Sequence, residues 1–235
     1  MHRIETNPAI FSARLTELFP QGVLAAELRG RGDPDALYPE EAAHLKRSVQ
    51  KRAEEFAAGR LCARLLLHEF GIRKFAIEVG AHRQPLWPED LVGSITHTTG
   101  FCAAVAASKK NLRSVGIDTE ITGSVATTLW RGICTPSETT WLLSLPQSEQ
   151  LSAATLIFSA KESFYKCQFG LTQEHLGFHD ASVELPEWGQ ERGAFRIFAN
   201  RSIKLESIAV LPLQGRYLFH EQFITSGIAL LETTR

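Results

Sequence analysis

The chain has 235 residues, of which 44% are hydrophobic and 22% are charged, and its formal net charge is −1. This composition is that of a globular protein with enough apolar residues for a sizeable core. A general nucleic-acid binder is disfavoured, because such a protein needs an excess of basic residues to displace counterions. The longest wholly apolar run, residues 101–107, is far shorter than the roughly 20 residues that span a bilayer.

The cysteines and the first residues of the chain bear on its cellular compartment. Cys62, Cys102, Cys134 and Cys167 lack C-x-x-C spacing, which favours reduced, buried thiols over a disulfide framework or a zinc site. Residues 1–15 carry several charged side chains and no apolar stretch typical of a signal peptide. We therefore expect a cytoplasmic monomer without a membrane segment.

The first half of the chain predicts one long helical region among loops. Residues 1–35 contain many turn-forming residues and predict irregular structure. Residues 39–70 have a helical composition, and Gly71 is a natural helix stop. A short β-like stretch at 74–79 precedes a proline-containing loop at 83–88, and residues 93–98 predict a further loop.

The second half predicts strands on either side of two helices. Residues 101–108 and 113–121 predict two strands of a hairpin with a turn at 109–111, and residues 136–145 and 151–171 predict helices. Short strands are expected at 194–198, 207–211, 216–220 and 228–231. Residues 122–148 could form a mobile flap or ordinary core, of which core is the favoured interpretation. The pattern is α+β and lacks the repeated βαβ order of a doubly wound sheet.

A pair of acidic residues lies on the strand predicted at 113–121. Asp118 and Glu120 are two residues apart, so their side chains share one face of a strand and can converge on one cation. Gly116 would leave that face open to a bulky ligand. The alternative is a solvent-facing strand with two acids of no function.

A third acid and a lysine lie on the helix predicted at 151–171. Glu162 and Lys166 are four residues apart and are therefore neighbours on the helix surface. Three carboxylates and a lysine suit Mg²⁺ and a phosphate chain. Taken alone, the Glu162–Lys166 spacing is equally that of an ordinary stabilising surface pair.

Basic and hydroxyl residues supply possible phosphate contacts. Arg52, Arg60 and Arg64 follow one another at intervals of four or eight residues along the first long helix, and arginine binds phosphate through paired donors. The alternative is a solvated helix face. Ser94 and His97 offer further donors in the stretch 93–98, although His97 could equally cap its own loop.

Together these segments resemble the Sfp-type 4′-phosphopantetheinyl transferases, and in particular the branch that contains enterobactin synthetase component D. The resemblance follows the order of the motifs at 52–60, 83–88, 93–97, 116–120 and 158–166, which cover roughly half of the chain. It implies transfer of the phosphopantetheine arm of coenzyme A to a serine of an acyl or peptidyl carrier protein. It also implies two similar α/β subdomains, 1–111 and 112–235, related by a pseudo-twofold axis with the active site in the cleft between them.

The resemblance assigns roles to particular residues. It implies that Asp118, Glu120 and Glu162 hold Mg²⁺, that Glu162 accepts the serine proton, and that Lys166 meets the pyrophosphate. The residues expected to bind coenzyme A are Arg52, Arg60, Arg83, Gln84, Pro85, Ser94, His97 and Lys166. His82 receives no role.

Other functions are compatible with parts of the pattern. A metal-dependent nuclease also uses D-x-E with a later acid and a lysine, but its lysine usually lies two residues after an acid on a strand. A non-catalytic binding module for coenzyme A or a carrier protein should lack one of the three acids. A structural subunit of a synthetase complex has no feature in its favour.

Overall fold

The computed structural model describes residues 8–45, 49–207, 209 and 211–231. Within these residues the chain forms two antiparallel sheets, and one long helix packs against each sheet. None of the helices in the described part of the chain is long and apolar enough to cross a membrane.

The first sheet comes from the first half of the chain. It contains β1 (Ile10–Phe11), β2 (Leu24–Arg29), β3 (Leu91–Thr98) and β4 (Phe101–Ser108), in the spatial order β1-β2-β4-β3. The helices of this half are α1 (Ala13–Thr16), α2 (Pro39–Ala42) and α3 (Gln50–Glu69), with 3₁₀ turns at Pro34–Ala36 and Ala43–Leu45.

The second sheet comes from the second half. It contains β5 (Leu112–Ile121), β6 (Ala181–Glu184), β7 (Arg192–Ala199), β8 (Leu213–His220) and β9 (Phe223–Leu231), in the order β5-β9-β8-β7-β6. The helices are α4 (Thr127–Ile133), α5 (Pro136–Ser144) and α6 (Gln147–Thr172), with 3₁₀ turns at Phe178–Asp180 and Lys204–Ser207.

The apolar run of β4 is buried on both of its faces. Phe101 and Val105 point into a central cluster that also holds Val115 and Ile117 of β5. Cys102 and the alanines at 104 and 106 point the other way, against α3. Because successive strand residues face opposite sides, a strand between two apolar layers needs no polar alternation.

The predicted hairpin at 101–121 is wrong, although both of its strands exist. β4 pairs with β2 and β3, whereas β5 pairs with β9 in the other sheet. Residues 109–111 therefore carry the chain from one sheet to the other. Alternation and turn residues indicate where strands lie, but the choice of partner depends on distant residues that a local pattern does not contain.

Other local predictions are corrected in the same way. Residues 1–35 are not irregular in the described part, since β1, α1 and β2 lie there, and residues 93–98 lie within β3. Residues 74–79 form no strand, only a single bridge from Val79 to Pro85. The strand predicted at 207–211 is absent where the structure describes it: Ser207 ends a 3₁₀ turn, and residues 208 and 210 lie outside the described residues.

The end of α3 confirms the predicted stop at Gly71. Gly71 has φ +78°, its N–H donates to the carbonyl of His68 at 3.0 Å, and the N–H of Ile72 donates to that of Leu67 at 2.9 Å. This is a Schellman cap, in which a left-handed residue satisfies the last carbonyls of the helix.

The segment 122–148 belongs to the core, as the favoured interpretation had it. Trp130, Ile133 and Leu142 are buried in the same cluster as α6. A buried ion pair ties this segment to α6, because the Lys161 ammonium donates to Glu138 Oε2 at 2.7 Å. The four cysteines are buried and free, which confirms the prediction of reduced thiols.

Candidate active site

The two acids predicted on a strand lie on β5, at an edge of the second sheet. Asp118 is 4% exposed and Glu120 is half-buried. β5 pairs with β9 on one side only, so its other edge faces β3 of the first sheet. The acids therefore lie where the two halves of the chain meet.

Hydroxyl groups of β3 bond the free edge of β5. The Ile117 N–H donates to Ser94 Oγ at 3.2 Å, and the Thr119 N–H donates to Thr96 Oγ1 at 2.9 Å. An unpaired strand edge carries N–H groups that need acceptors when they are buried. Ser94 and Thr96 provide these acceptors, which explains why hydroxyl residues occupy alternate positions of a strand that the sequence predicts as a loop.

Asp118 is held by the lysine of α6. Lys166 Nζ donates to Asp118 Oδ1 at 2.7 Å and to the Ile117 carbonyl at 3.1 Å. Thr96 Oγ1 donates to the same Oδ1 at 3.4 Å. Asp118 Oδ2 is buried and has no hydrogen-bond partner among the described residues. A buried carboxylate oxygen without a donor is costly, so this atom favours a bound cation.

The other two carboxylates have raised pKa values. Burial raises the pKa of Glu120 to about 7; the charge of Asp118 adds to the shift, Lys166 opposes it and Glu162 adds to it. Burial also raises the pKa of Glu162, with Lys166 opposing and Asp118 adding. The acids of β5 and α6 therefore lie close enough to repel one another in a partly dry site, where a cation would relieve the repulsion.

The donor set fits a hard divalent cation that brings its own further ligands. The described residues contain no group of three or more His, Cys, Asp or Glu side chains placed to hold a metal ion by themselves. Mg²⁺ characteristically takes one or two carboxylates and completes its shell with waters and substrate phosphates. The orphan oxygen of Asp118 and the neighbouring glutamates meet that requirement, and the full set of Asp118, Glu120 and Glu162 stays a prediction.

A cleft of about 720 Å³ has Glu162 and Lys166 in its wall, whereas Asp118 and Glu120 do not line it. Both halves of the chain line it. Six residues of the predicted site lie in its wall: Arg83, Gln84, Pro85, Ser94, Glu162 and Lys166. The wall also contains basic and aromatic residues that sequence reasoning missed, namely Lys109, Arg113, Trp87, Tyr165 and Phe169. Trp87 and Tyr165 lie within the motifs 83–88 and 158–166, whereas only proximity in space joins Lys109, Arg113 and Phe169 to the site.

Arg60, a predicted phosphate ligand, is buried away from this wall. Its Nε donates to the Ile77 carbonyl at 3.0 Å, and its guanidinium lies 3.9 Å from the ring centre of Phe56. Burial lowers the pKa of Arg60 to about 10, with Glu41 opposing the shift. This arginine connects α3 to Ile77, which precedes the loop 80–84 in the wall of the cleft.

Arg52 and His97 lie outside the cleft lining, with His97 within electrostatic range of Asp118 and Arg52 within range of His97. His97 Nδ1 is 3.7 Å from Glu55 Oε2 of α3. Burial lowers the pKa of His97; Glu55 opposes the shift, whereas Lys166 and the exposed Arg52 add to it. Arg52 and Lys166 therefore each lie within electrostatic range of His97.

Gly116 serves close packing rather than ligand access, contrary to the interpretation from sequence. A Cβ atom at this position would lie 1.9 Å from the Ser163 carbonyl oxygen of α6. The glycine lets α6 approach β5 closely, and this approach brings Glu162 and Lys166 up to Asp118.

A smaller cavity of about 210 Å³ adjoins the acid of α6 on the other side. Its lining is largely apolar and consists of Lys161, Glu162, Phe164, Tyr165, Leu176, Gly177, Phe178 and Ala181. Glu162 and Tyr165 line both this cavity and the larger cleft, so they lie at the boundary between the two.

Family models match both halves of the chain. Residues 40–107 match the model described as the 4′-phosphopantetheinyl transferase N-terminal domain, and residues 114–218 match that of the 4′-phosphopantetheinyl transferase superfamily. These ranges contain all of the predicted site residues.

Curated relatives extend the similarity along most of the chain. The 4′-phosphopantetheinyl transferase Npt of Nocardia iowensis is 33% identical over 218 residues, which cover 90% of this chain and 97% of the relative. The transferase PptT of Mycobacterium tuberculosis is 38% identical over 205 residues, 84% of this chain and 88% of the relative. Enterobactin synthase component D of Escherichia coli (strain K12) is 35% identical over 162 residues, 68% of this chain and 74% of the relative.

Proposed function

The chain belongs to the 4′-phosphopantetheinyl transferase family and is an enzyme of that class, and from this premise we propose the donor, acceptor and metal of its reaction. The donor is coenzyme A and the acceptor is a serine of an apo acyl or peptidyl carrier protein. The second product is adenosine 3′,5′-bisphosphate, and Mg²⁺ is required. The observation that carries the proposal is the cleft whose wall holds Arg83, Lys109 and Arg113 and ends at Glu162 and Lys166.

The charges along the cleft suit a phosphate-rich donor. Cationic side chains on its wall attract the anionic groups of coenzyme A, and arginine offers paired donors for phosphate oxygens. Arg83 contributes such a group, while Gln84, Pro85 and Ser94 contribute polar and backbone atoms beside it. Arg52 and His97 lie within electrostatic range of each other and extend the binding surface beyond the cleft, and Arg60 supports it through its bond to Ile77.

The reaction breaks one bond of the pyrophosphate and forms one ester. The serine oxygen attacks the phosphorus that carries pantetheine, the bond from that phosphorus to the bridging oxygen breaks, and adenosine 3′,5′-bisphosphate leaves with the electron pair. The serine proton passes to Glu162, whose raised pKa makes it a stronger base than an ordinary carboxylate. Lys166 lies one helical turn away and neutralises charge on the pyrophosphate oxygens.

Mg²⁺ held by Asp118, Glu120 and Glu162 would supply charge neutralisation at the same oxygens. Lys166 already bonds one oxygen of Asp118, which leaves the buried Oδ2 for the ion.

We also propose two subdomains, 1–111 and 112–235, that face each other across this cleft, and a monomeric protein in the cytoplasm. The change of sheet between β4 and β5 supports the boundary. Four buried free thiols suit a reducing compartment.

Intact-mass analysis of several apo carrier proteins, incubated with the chain, coenzyme A and Mg²⁺, tests the proposal. The expected result is a gain of one phosphopantetheine group on at least one carrier, lost when Mg²⁺ is chelated and lost in a carrier whose acceptor serine is replaced by alanine. Absence of any gain across acyl and peptidyl carriers would refute the proposed reaction. Incubation with plasmid DNA and Mg²⁺ should give no cleavage, which separates this function from a nuclease.

A further inference from the structure

Two histidines from different halves of the chain meet beside the cleft. His82 lies on the loop between Gly80 and Gln84, and His175 lies just after the end of α6. His175 Nε2 is 3.3 Å from His82 Nδ1, and His175 Nδ1 is 3.0 Å from the Tyr165 hydroxyl. We call these three side chains the histidine clasp.

Aromatic contacts support the clasp from one side. Phe169 of α6 lies edge-on to His82, with ring centres 5.5 Å apart, and also contacts His175 at 5.2 Å. Tyr165 stacks on Phe169 at 5.5 Å. The hydrogen bonds can run in either direction along the three groups. In both directions His175 is neutral with one ring nitrogen donating and the other accepting, whereas His82 takes part through Nδ1 alone.

The loop that carries His82 adopts a strained conformation. Its residue Arg83 has φ +68°, a left-handed conformation that costs a residue with a Cβ about 1 kcal/mol or more. Internal bonds alone close the loop: the Arg83 N–H donates to the Gly80 carbonyl at 2.9 Å, and the Gly80 N–H donates to that of Gln84 at 2.8 Å. The three residues at its tip, His82 among them, are exposed, so no packing into the core fixes them.

The clasp connects this loop to the helix that carries the reactive groups. Tyr165 lies between Glu162 and Lys166 in the sequence of α6, and it lines the same cleft as Arg83. His175 itself does not line that cleft. A change at His175 therefore reaches the cleft through the residues that it contacts there, namely His82, Tyr165 and Phe169.

We infer that His175 is a positioning residue, which holds the loop 80–84 against α6 and so sets Arg83 opposite Glu162 and Lys166 for binding of the phosphate-rich substrate. The inference deepens the proposed function and rests on it only for the identity of that substrate. Loss of the clasp should weaken substrate binding and leave the chemical step nearly unchanged, since no clasp atom is needed to transfer the proton.

Two measurements on the full-length protein test the clasp. Hydrogen–deuterium exchange without any ligand should show faster exchange of the loop 80–84 in His175→Ala, and no change there in the matched exposed control His179→Ala. Steady-state rates with an apo carrier and varied coenzyme A should show a KM about fivefold higher in His175→Ala, the size expected from one neutral hydrogen bond. The kcat should stay within about twofold, and His175→Gln, which keeps a donor and an acceptor, should have a lower KM than the alanine variant.

A double substitution shows whether His82 and His175 act through each other or independently. If His82 and His175 act through each other, the KM of the double alanine variant should equal that of the more affected single variant. The inference would be overturned if the increase in KM of the double variant equalled the product of the two single increases. It would also be overturned if hydrogen–deuterium exchange of the loop 80–84 were unchanged in His175→Ala. If the native protein transfers nothing to any carrier, the proposed function fails, whereas the exchange measurement alone still decides whether the clasp holds the loop.

Discussion

Glu120 should destabilise the protein in the absence of a divalent ion. Its pKa is raised from 4.5 to about 7, chiefly by burial. A carboxylate with a raised folded-state pKa favours the folded state at low pH, and this contribution is lost as the pH rises through the folded pKa. The free energy of unfolding of the native protein should therefore fall, relative to a variant without this carboxylate, between about pH 4.5 and pH 7.

The size of the effect follows from the shift. About 2.5 pKa units correspond to about 3.4 kcal/mol without solvent screening. Because Glu120 is only partly buried, screening reduces this figure, and we expect about 1–2 kcal/mol. For a protein of this length that difference corresponds to about 2–8 °C in Tm.

The perturbation is Glu120→Gln, which keeps the shape and removes the charge. With EDTA at pH 8, thermal and urea unfolding should show the variant to be more stable than the native protein, and the difference should shrink towards pH 5. Added Mg²⁺ should raise the Tm of the native protein at pH 8 and raise that of the variant less. The exposed control Glu89→Gln should follow the native pH dependence. A Glu120→Gln variant that is equally or less stable at pH 8 would refute the reasoning.

Four further substitutions separate the residues that act in the reaction from those that stabilise the fold. Glu162→Gln should lower the rate of carrier modification by about 10²–10⁴-fold without lowering Tm, since burial raises the pKa of Glu162 as it does that of Glu120. Near-normal turnover would reject the base assignment. Lys161→Met should cost about 3–5 kcal/mol in urea unfolding, because it leaves a buried carboxylate unpaired; a loss below about 1 kcal/mol would contradict this. Gly116→Ala should cost about 2–3 kcal/mol or more, since its Cβ would lie 1.9 Å from the Ser163 carbonyl oxygen. Gly132→Ala, at an exposed position of α4 with open space around it, should stabilise by about 0.5–1 kcal/mol. Equal effects at the two glycines would reject the packing argument.

Local sequence patterns predicted most of the elements in the second half of the chain. The helical patterns of α5 and α6 and the alternation in β5 are each encoded within a few residues. β3 was predicted as a loop because Ser94 and Thr96, which are residue types typical of loops, occupy its buried positions facing β5. β3 lies at an edge of the first sheet because of tertiary packing, which the spacing of residues along the chain does not predict.

The candidate site shows the same division between local and tertiary information. The spacing of Asp118 and Glu120, and of Glu162 and Lys166, correctly placed each pair on one face of one element. The row of arginines on α3 predicted phosphate ligands less well, since regular spacing on a helix does not show which side chains point to solvent. Arg52 is exposed, whereas Arg60 is buried against Ile77 and Phe56.

The seam between the two sheets explains why the acids can be buried and still reach a ligand. If β3 and β5 were paired through their backbones, the carbonyl of Ile117 would accept a hydrogen bond from an N–H of β3 and not from Lys166. Side-chain hydroxyls bond the N–H groups instead, so this carbonyl and Asp118 stay available to the lysine. Neither half alone could keep Asp118 in this state, since Thr96 comes from one half and Lys166 from the other. When the two halves are expressed separately, each should lack the site. A mixture of the halves should restore phosphopantetheine transfer only if the contacts between β3 and β5 form again.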